Sequence, residues 1–389
     1  MKKSIKIFLP LFLITASFIG CSKANIDNGE VSIELDKGYI HFDAEVLTRG
    51  ALVEGNTLQG SFYVLGYQYR GDWKSNKAQA NPNVFYGTNN QLALPQIVNY
   101  NNEGLYTYTP VQAWTGNTYS FFGYYPTGNS NIKLFENGTL EEGEPYITYT
   151  LPIGNDPRSL VDVMTSYLLN TNADVPSVNM EMHHRLSAID VCAYNYYSYD
   201  HDNNKQTDAK PVTITITDLQ VKLKDVNTSA KIYLSQDDEA SSPIYSKGDT
   251  QTDLHYTLVG NSEWAANTFI IAPNTKEDPN ERVIKNAENN LSIILIPQDQ
   301  TDTDRLTVEV SMQFQKSYIN DSGVEVYLHD GDNSEDLIFN PETFSLTFNS
   351  LLQEGRRYYI NLTFTSDAVS ASLIPDQEWD DKNVKHDFE

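Results

Sequence analysis

The chain reads as an all-β protein made of sandwiches, and three observations carry that reading. Short runs alternate apolar and polar residues with period two. Clusters of Asn, Asp, Gly, Ser and Pro separate those runs. The residue types suit pleated surfaces: there are 25 Tyr and 16 Phe against 5 Met, and aromatic and β-branched side chains pack well on a half-buried sheet.

Taken in order, alternating runs stand at residues 31–35, 61–67, 119–124, 146–150, 212–216, 306–310 and 359–364. Alternation of this kind buries one face of a strand and wets the other. The run Leu291-Ser292-Ile293-Ile294-Leu295-Ile296 is almost wholly apolar and is expected to be a central strand buried on both faces. Helical signals are confined to residues 157–164 and 261–268, too short for an α/β architecture. Many short strands with few helices point to sandwiches. The polar segment 170–176, ending in Pro176, suggests a boundary, which gives two halves, 50–172 and 176–389. Each is large enough for a seven-strand sandwich.

The 389 residues carry a net charge of -25, and 40% of them are hydrophobic. That supplies material for proper cores, while the strong negative charge excludes nucleic acid as a natural partner.

The N-terminus predicts export. Lys2, Lys3 and Lys6 precede an apolar stretch at 7–19, then Gly20 and Cys21. This is the layout of a signal peptide over residues 1–20, too short and too interrupted by Pro10 to span a bilayer comfortably. A signal that stops at Gly-Cys resembles that of bacterial lipoproteins, in which the cysteine is acylated and becomes the new N-terminus. Phe18 and Ile19 depart from the usual residues before such a cysteine, and an ordinary secretory signal with an incidental cysteine reads the same stretch. With Cys21 modified, only Cys192 remains, so an intramolecular disulfide is excluded. Cys192 lies in the strand-like run 189–193 and is expected to be a small buried hydrophobe.

Several runs resemble one family. They are Phe62-Tyr63-Val64-Leu65-Gly66-Tyr67, Trp114 followed by the run 119–126, His184-Arg185-Leu186-Ser187-Ala188-Ile189-Asp190-Val191, Ile294-Leu295-Ile296-Pro297-Gln298, and the run 355–362. In this order, behind a lipoprotein signal, they resemble the fimbrillins of Bacteroidetes, the subunits of type V pili. The resemblance implies two tandem transthyretin-like, Greek-key β-sandwich domains. It also implies a precursor that reaches the outer membrane as a lipoprotein, exposed at the cell surface as part of a fimbrium. An arginine-specific protease then removes an N-terminal strand, and a strand from a neighbouring pilin subunit fills the groove. The matching cleavage site here is Arg49-Gly50, which makes residues 21–49 a propeptide. Arg49 is the only arginine before Arg70, so such a cut has one choice in this region. Residues 31–35 and 40–46 upstream are expected to pair as strands. Losing one would expose backbone donors and acceptors beside an apolar cleft, which a partner strand would repair by β-augmentation. The candidate donor strand is the alternating run with Val369, Ala371 and Leu373, although the same run reads equally as the last strand of its own C-terminal half. Stalk and tip positions both stay open.

No constellation for catalysis is present, and neither cofactor nor metal is expected. His183 and His184 point to opposite faces of a strand. Glu181 and His183 share a face but are too few for zinc. Residues 330–336 begin like a calcium loop, yet position six is not glycine and position twelve is Pro341. Trp73, Tyr69 and Tyr86 support an alternative, a monomeric surface lipoprotein or adhesin whose exposed aromatics stack on carbohydrate, against which stands their burial in a core or interface.

Overall fold

The computed structural model describes residues 22–27, 30–35, 38–47, 58–76, 95–101, 104–134, 145–154, 156–199, 210–234, 245–247, 251–260, 265, 268–273, 285–286, 289–290, 292–297, 306–328, 335–336, 342–350, 352–365 and 369–375. They are almost all β. In the first half the strands are β1 (Ser22–Asp27), β2 (Glu30–Leu35), β3 (Phe42–Leu47), β4 (Phe62–Tyr69), β5 (Gln96–Tyr100), β6 (Tyr106–Thr107), β7 (Thr118–Tyr125), β8 (Ile132–Leu134), β9 (Tyr146–Thr150), β10 (Met164–Thr171) and β11 (Val178–His184). The second half has β12 (Ser187–Asn195), β13 (Ser198–Tyr199), β14 (Lys210–Pro211), β15 (Thr213–Asn227), β16 (Ser229–Tyr233), β17 (Tyr245–Lys247), β18 (Gln251–Val259), β19 (Phe269–Ile271), β20 (Lys285–Asn286), β21 (Asn289–Asn290) and β22 (Ile293–Leu295). It closes with β23 (Leu306–Ile319), β24 (Glu325–Leu328), β25 (Glu335–Asp336), β26 (Glu342–Ser350), β27 (Arg357–Phe364) and β28 (Val369–Pro375). Among the described residues helix is limited to one turn at Trp73–Asn76 and a 3-10 turn at Pro157–Ser159, the latter capped by the Asp156 side chain.

The first sheet has the order β3-β11-β10-β7-β4-β5-β6. Both of its faces are apolar. Phe62, Val64, Tyr119 and Phe121 face a smaller core with Ile40, Phe42 and Met180. Leu65, Tyr67 and Phe122, one residue out of phase on the same strands, face the main core. The alternation of β4 and β7 therefore separates two apolar layers, as period two requires.

In the second half, β22-β12-β27-β28 form one sheet, with β12 and β27 parallel. The long strands β15 and β23 form the spine of another, flanked by β18, β24 and β26. A third sheet, β17-β16-β9-β8, draws strands from both halves: Tyr149 lies opposite Ala230 and Ile147 opposite Ile232.

Four expectations need correcting. The polar segment 172–176 is a turn between β10 and β11, which pair within the first sheet, and the chain leaves that sheet only near Arg185. A polar turn and a polar linker share one composition, and the shared sheet of β9 with β16 ties the halves together beyond it. The apolar run at 291–296 supplies β22, which pairs with β12 alone and so lies at a sheet end; Ile294 is only half-buried. Residues 31–35 pair with β1 in a separate hairpin rather than with 40–46. Residues 157–164 form only the 3-10 turn because Met164 already enters β10.

Candidate assembly edge

β3 lies at the end of the first sheet and runs parallel to β11, with Phe42 opposite Val178, Ala44 opposite Met180 and Val46 opposite Met182. Its sequence, Phe-Asp-Ala-Glu-Val-Leu, alternates as an edge strand should. Ile40, Phe42 and Ala44 are 0%, 3% and 1% exposed, whereas Asp43 faces solvent. Phe42 meets Phe62, Tyr108 and Phe121 edge to face, with ring centroids 6.4, 5.4 and 5.4 Å away. Burying Ile40 and Phe42 contributes about 1.5–3 kcal/mol each.

Polar contacts fix the register. The Val178 amide donates to the His41 carbonyl at 2.7 Å, and the Ile40 amide to the Gln112 carbonyl at 2.9 Å. On the side away from β11, the Ala44 carbonyl accepts from the Leu58 amide at 3.1 Å, and the Tyr106 hydroxyl, which donates to the Leu58 carbonyl, lies 3.1 Å from it. The Tyr108 hydroxyl donates to the Ile40 carbonyl at 2.9 Å. Burial pushes the Tyr108 phenol up to about 12 and raises that of Tyr106 as well, so both act as protonated donors. The Ser177 hydroxyl donates to the Asp43 carboxylate. Among the described residues one ladder holds β3 to the sheet; these side-chain and loop contacts supply the rest.

Arg49 and Gly50 lie outside the described residues, in the connection between Leu47 and Leu58. Cys21 and Tyr86 also lie outside them. Val369, Ala371 and Leu373 occupy β28, the other end of the sheet β22-β12-β27-β28, antiparallel to β27 with Val369 opposite Phe364. All three are half-buried and pack against the main core, while Ser370 and Ser372 are exposed. Signal enough for β3 stood in the sequence. What it lacked was the partner, since nothing in residues 42–47 names residues 178–184, more than a hundred positions away.

Two of the aromatics weighed for carbohydrate stacking lie in the core instead. Trp73 is fully buried and Tyr69 is 6% exposed. Trp73 packs against Tyr67, Tyr69 and Phe122 at 5.5, 5.6 and 4.9 Å between centroids. Asn170 locks the turn by accepting from the Trp73 amide at 2.7 Å and the Tyr69 hydroxyl at 2.9 Å. Cys192 is buried, as its strand-like setting implies. His184 is buried with its Nδ1 2.5 Å from the Asp162 carboxylate, while Glu181 faces solvent. Among the described residues no group of three or more His, Cys, Asp or Glu converges, and no helix is long and apolar enough to cross a membrane.

The pattern that defines fimbrillin-like proteins matches residues 71–376 of this chain. The chain belongs to the fimbrillin-like family. Among solved structures, a fimbrial protein from Bacteroides vulgatus superposes with a TM-score of 0.55 at 16% identity, covering 86% of this chain and 98% of that one. A proposed cell adhesion protein from Bacteroides ovatus gives 0.43 at 14% identity over 87% of this chain and 96% of that one. No curated protein matches. The first likeness supports the all-β fold of this fimbrillin. Family membership points to a structural role at the cell surface rather than to catalysis. The matched stretch begins downstream of β3 and Arg49, so the assembly edge rests on this chain's own geometry.

Proposed function

We propose that this fimbrillin is a pilus subunit precursor, anchored to the outer membrane through acylated Cys21, cut after Arg49 and polymerised by strand exchange. The observation that carries the reading is β3: a strand upstream of Arg49 that completes a core yet is joined to its sheet by one ladder. A cut after Arg49 severs it from everything that follows. Its departure uncovers the edge of β11 and the aromatic pocket around Phe42. That state is costly, because unpaired strand backbone beside apolar surface leaves polar groups unmet and hydrophobic area wet. A neighbour's strand restores both, and a head-to-tail contact of this kind propagates instead of closing. The donor is β28, placed at a sheet end where release breaks one ladder. The part built on the first sheet and the part that follows Arg185 then act as consecutive parts of one rod-forming subunit, at the stalk or the tip.

Digestion of the purified precursor with an arginine-specific protease tests this. A single early cut that leaves a compact product and starts filament growth, seen by electron microscopy, is the expected result. A compact cut product that stays monomeric at high concentration would refute it. The Cys21→Ala precursor should leave the membrane fraction; its retention there would refute lipidation. The carbohydrate-binding reading loses two of its three stacking aromatics, since Trp73 and Tyr69 are interior, while Tyr86 lies outside the described residues.

A further inference from the structure

The stretch ahead of the first sheet is folded back on itself. In the hairpin β1-β2, Ser22 lies opposite Leu35 and Asp27 opposite Glu30. Ser22 and Leu35 therefore share one end of the hairpin, about 5 Å apart. Cys21 stands one residue ahead of Ser22, and Gly38 three residues beyond Leu35. At about 3.5 Å per residue, residue 21 lies no farther than about 20 Å from Gly38, whereas the same stretch unpaired would reach about 60 Å. The hairpin turns a long tether into a short one.

The far end of that tether is seated on the sandwich. The Trp114 amide donates to the Gly38 carbonyl at 3.1 Å, and the Ile40 amide to the Gln112 carbonyl at 2.9 Å. Tyr39 forms a β-bridge with Ala113 between them. The segment 111–114 thus receives the chain where it enters the smaller core. The corner these residues make is apolar and aromatic. Tyr39 is 37% exposed, Ala113 is exposed, and Val111 and Trp114 are half-buried. Trp114 stands edge to face against Tyr119 and Phe121, with ring centroids 5.1 and 6.0 Å away, which holds the indole in place. Charge is missing here: no Asp, Glu, Lys, Arg or His stands between Glu103 and Lys133, in a chain whose net charge is -25. An uncharged surface of tyrosine and tryptophan suits the headgroup boundary of a bilayer, where such rings turn an apolar body to the acyl chains and a polar tip to water.

We infer that in the uncut precursor the corner formed by Tyr39, Val111, Ala113 and Trp114 rests on the lipid surface, held there by the folded stretch between it and Cys21. This rests on the reading of Cys21 as the acylated residue and adds the face that the anchored subunit turns to the bilayer. The short tether keeps the corner at a high effective concentration beside the membrane, so a contact too weak to bind alone is occupied. The corner and the lipid then act as two signals, as stable anchoring requires. A cut after Arg49 separates Cys21 and Tyr39 from Val111 and Trp114, so the anchor and part of the corner leave together.

The test uses the full precursor, extracted from membranes and placed in phosphatidylcholine–phosphatidylethanolamine vesicles whose acyl chains carry bromine near the headgroup. Flotation with the vesicles is read first and tryptophan quenching second. The precursor should float and be quenched. Trp114→Phe should float equally and keep its circular dichroism but lose most of the quenching, with the fully buried Trp73 left shielded. A flexible insert of about twelve Gly and Ser residues between Asp36 and Lys37 should reduce quenching by about twofold or more, because effective concentration falls as the tether lengthens. No quenching of the precursor, or equal quenching in Trp114→Phe, would overturn the membrane-facing corner. Equal quenching with the insert would overturn the part given to the folded stretch. These outcomes leave acylation of Cys21 standing. A precursor that does not float would overturn that acylation and this inference with it.

Discussion

Phe42 and Phe121 stand edge to face, with ring centroids 5.4 Å apart and planes at 88°. Phe42 comes from the strand ahead of Arg49, and Phe121 from the middle of the first sheet. This contact joins the part of the chain proposed to be lost to the part that stays. Phe42→Ala in the uncut protein should cost about 3–5 kcal/mol, the usual range for truncating a buried phenylalanine. Denaturant unfolding reads it; a loss under about 1 kcal/mol would show that β3 contributes little to the core.

Arg49→Ala should leave thermal unfolding of the precursor unchanged and prevent the early cut by an arginine-specific protease. Because the next arginine is Arg70, at the end of β4, no substitute site lies in the same connection. Filament growth by the Arg49→Ala protein after protease treatment would remove Arg49 from the scheme.

A buried ion pair fastens the first sheet to the last strands. Arg185, just past β11, reaches the Glu354 carboxylate at 2.5 Å and also donates to the Thr165 hydroxyl. The two side chains are 6% and 13% exposed. Glu354→Ala should destabilise by about 3–5 kcal/mol, since it strands a buried guanidinium. Arg185→Leu combined with Glu354→Leu should cost less than Glu354→Ala alone, because removing both charges also removes their desolvation. Equal losses in a chemical denaturation series would refute that account.

The protein should fail on the alkaline side. Burial holds Tyr108 up at about 12 and raises Tyr67, Tyr124, Tyr149 and Tyr256 too. The folded state thus favours the neutral phenols, while an unfolded phenol ionises near pH 10. Their contribution is complete below about pH 10 and fades as pH climbs toward the folded values. Tyrosinate absorbance should therefore show one group of tyrosines titrating normally and a second appearing only with loss of circular dichroism. A single smooth titration with the fold intact would contradict this.

The sequence disclosed strands better than their partners. The alternation at Val212–Thr213–Ile214 emerges as the start of β15, with Val212 and Ile214 buried and Thr213 half-buried, because period two is a local property. The turn at 172–177 misled because Asn172, whose side chain accepts from the Asp174 amide at 2.9 Å, makes the same Asx turn in a hairpin as in a linker. Trp73 and Tyr69 gave no local sign of burial. Part of their packing comes from Phe122, and Asn170, about a hundred residues on, holds the turn; no window around Trp73 contains either. β3 was legible as a strand. Its parallel seat beside β11 was not, for the same reason of distance. Cys21, Arg49 and Gly50 lie outside the described residues, so their roles still stand on the sequence alone.

The pairing of Phe42 with Val178 also sets an order of events. The first strand of this sheet to be synthesised lacks its ladder until the chain has reached residue 184, because among the described residues its ladder partner is β11. Contacts so remote along the chain form slowly, after local hairpins have closed. β3 is therefore the late arrival of its sheet, docking onto a surface already assembled. A piece that joins last and is tied by no hairpin can be withdrawn without unravelling what preceded it, so the route of folding, run backwards by one step, is the route to an open subunit.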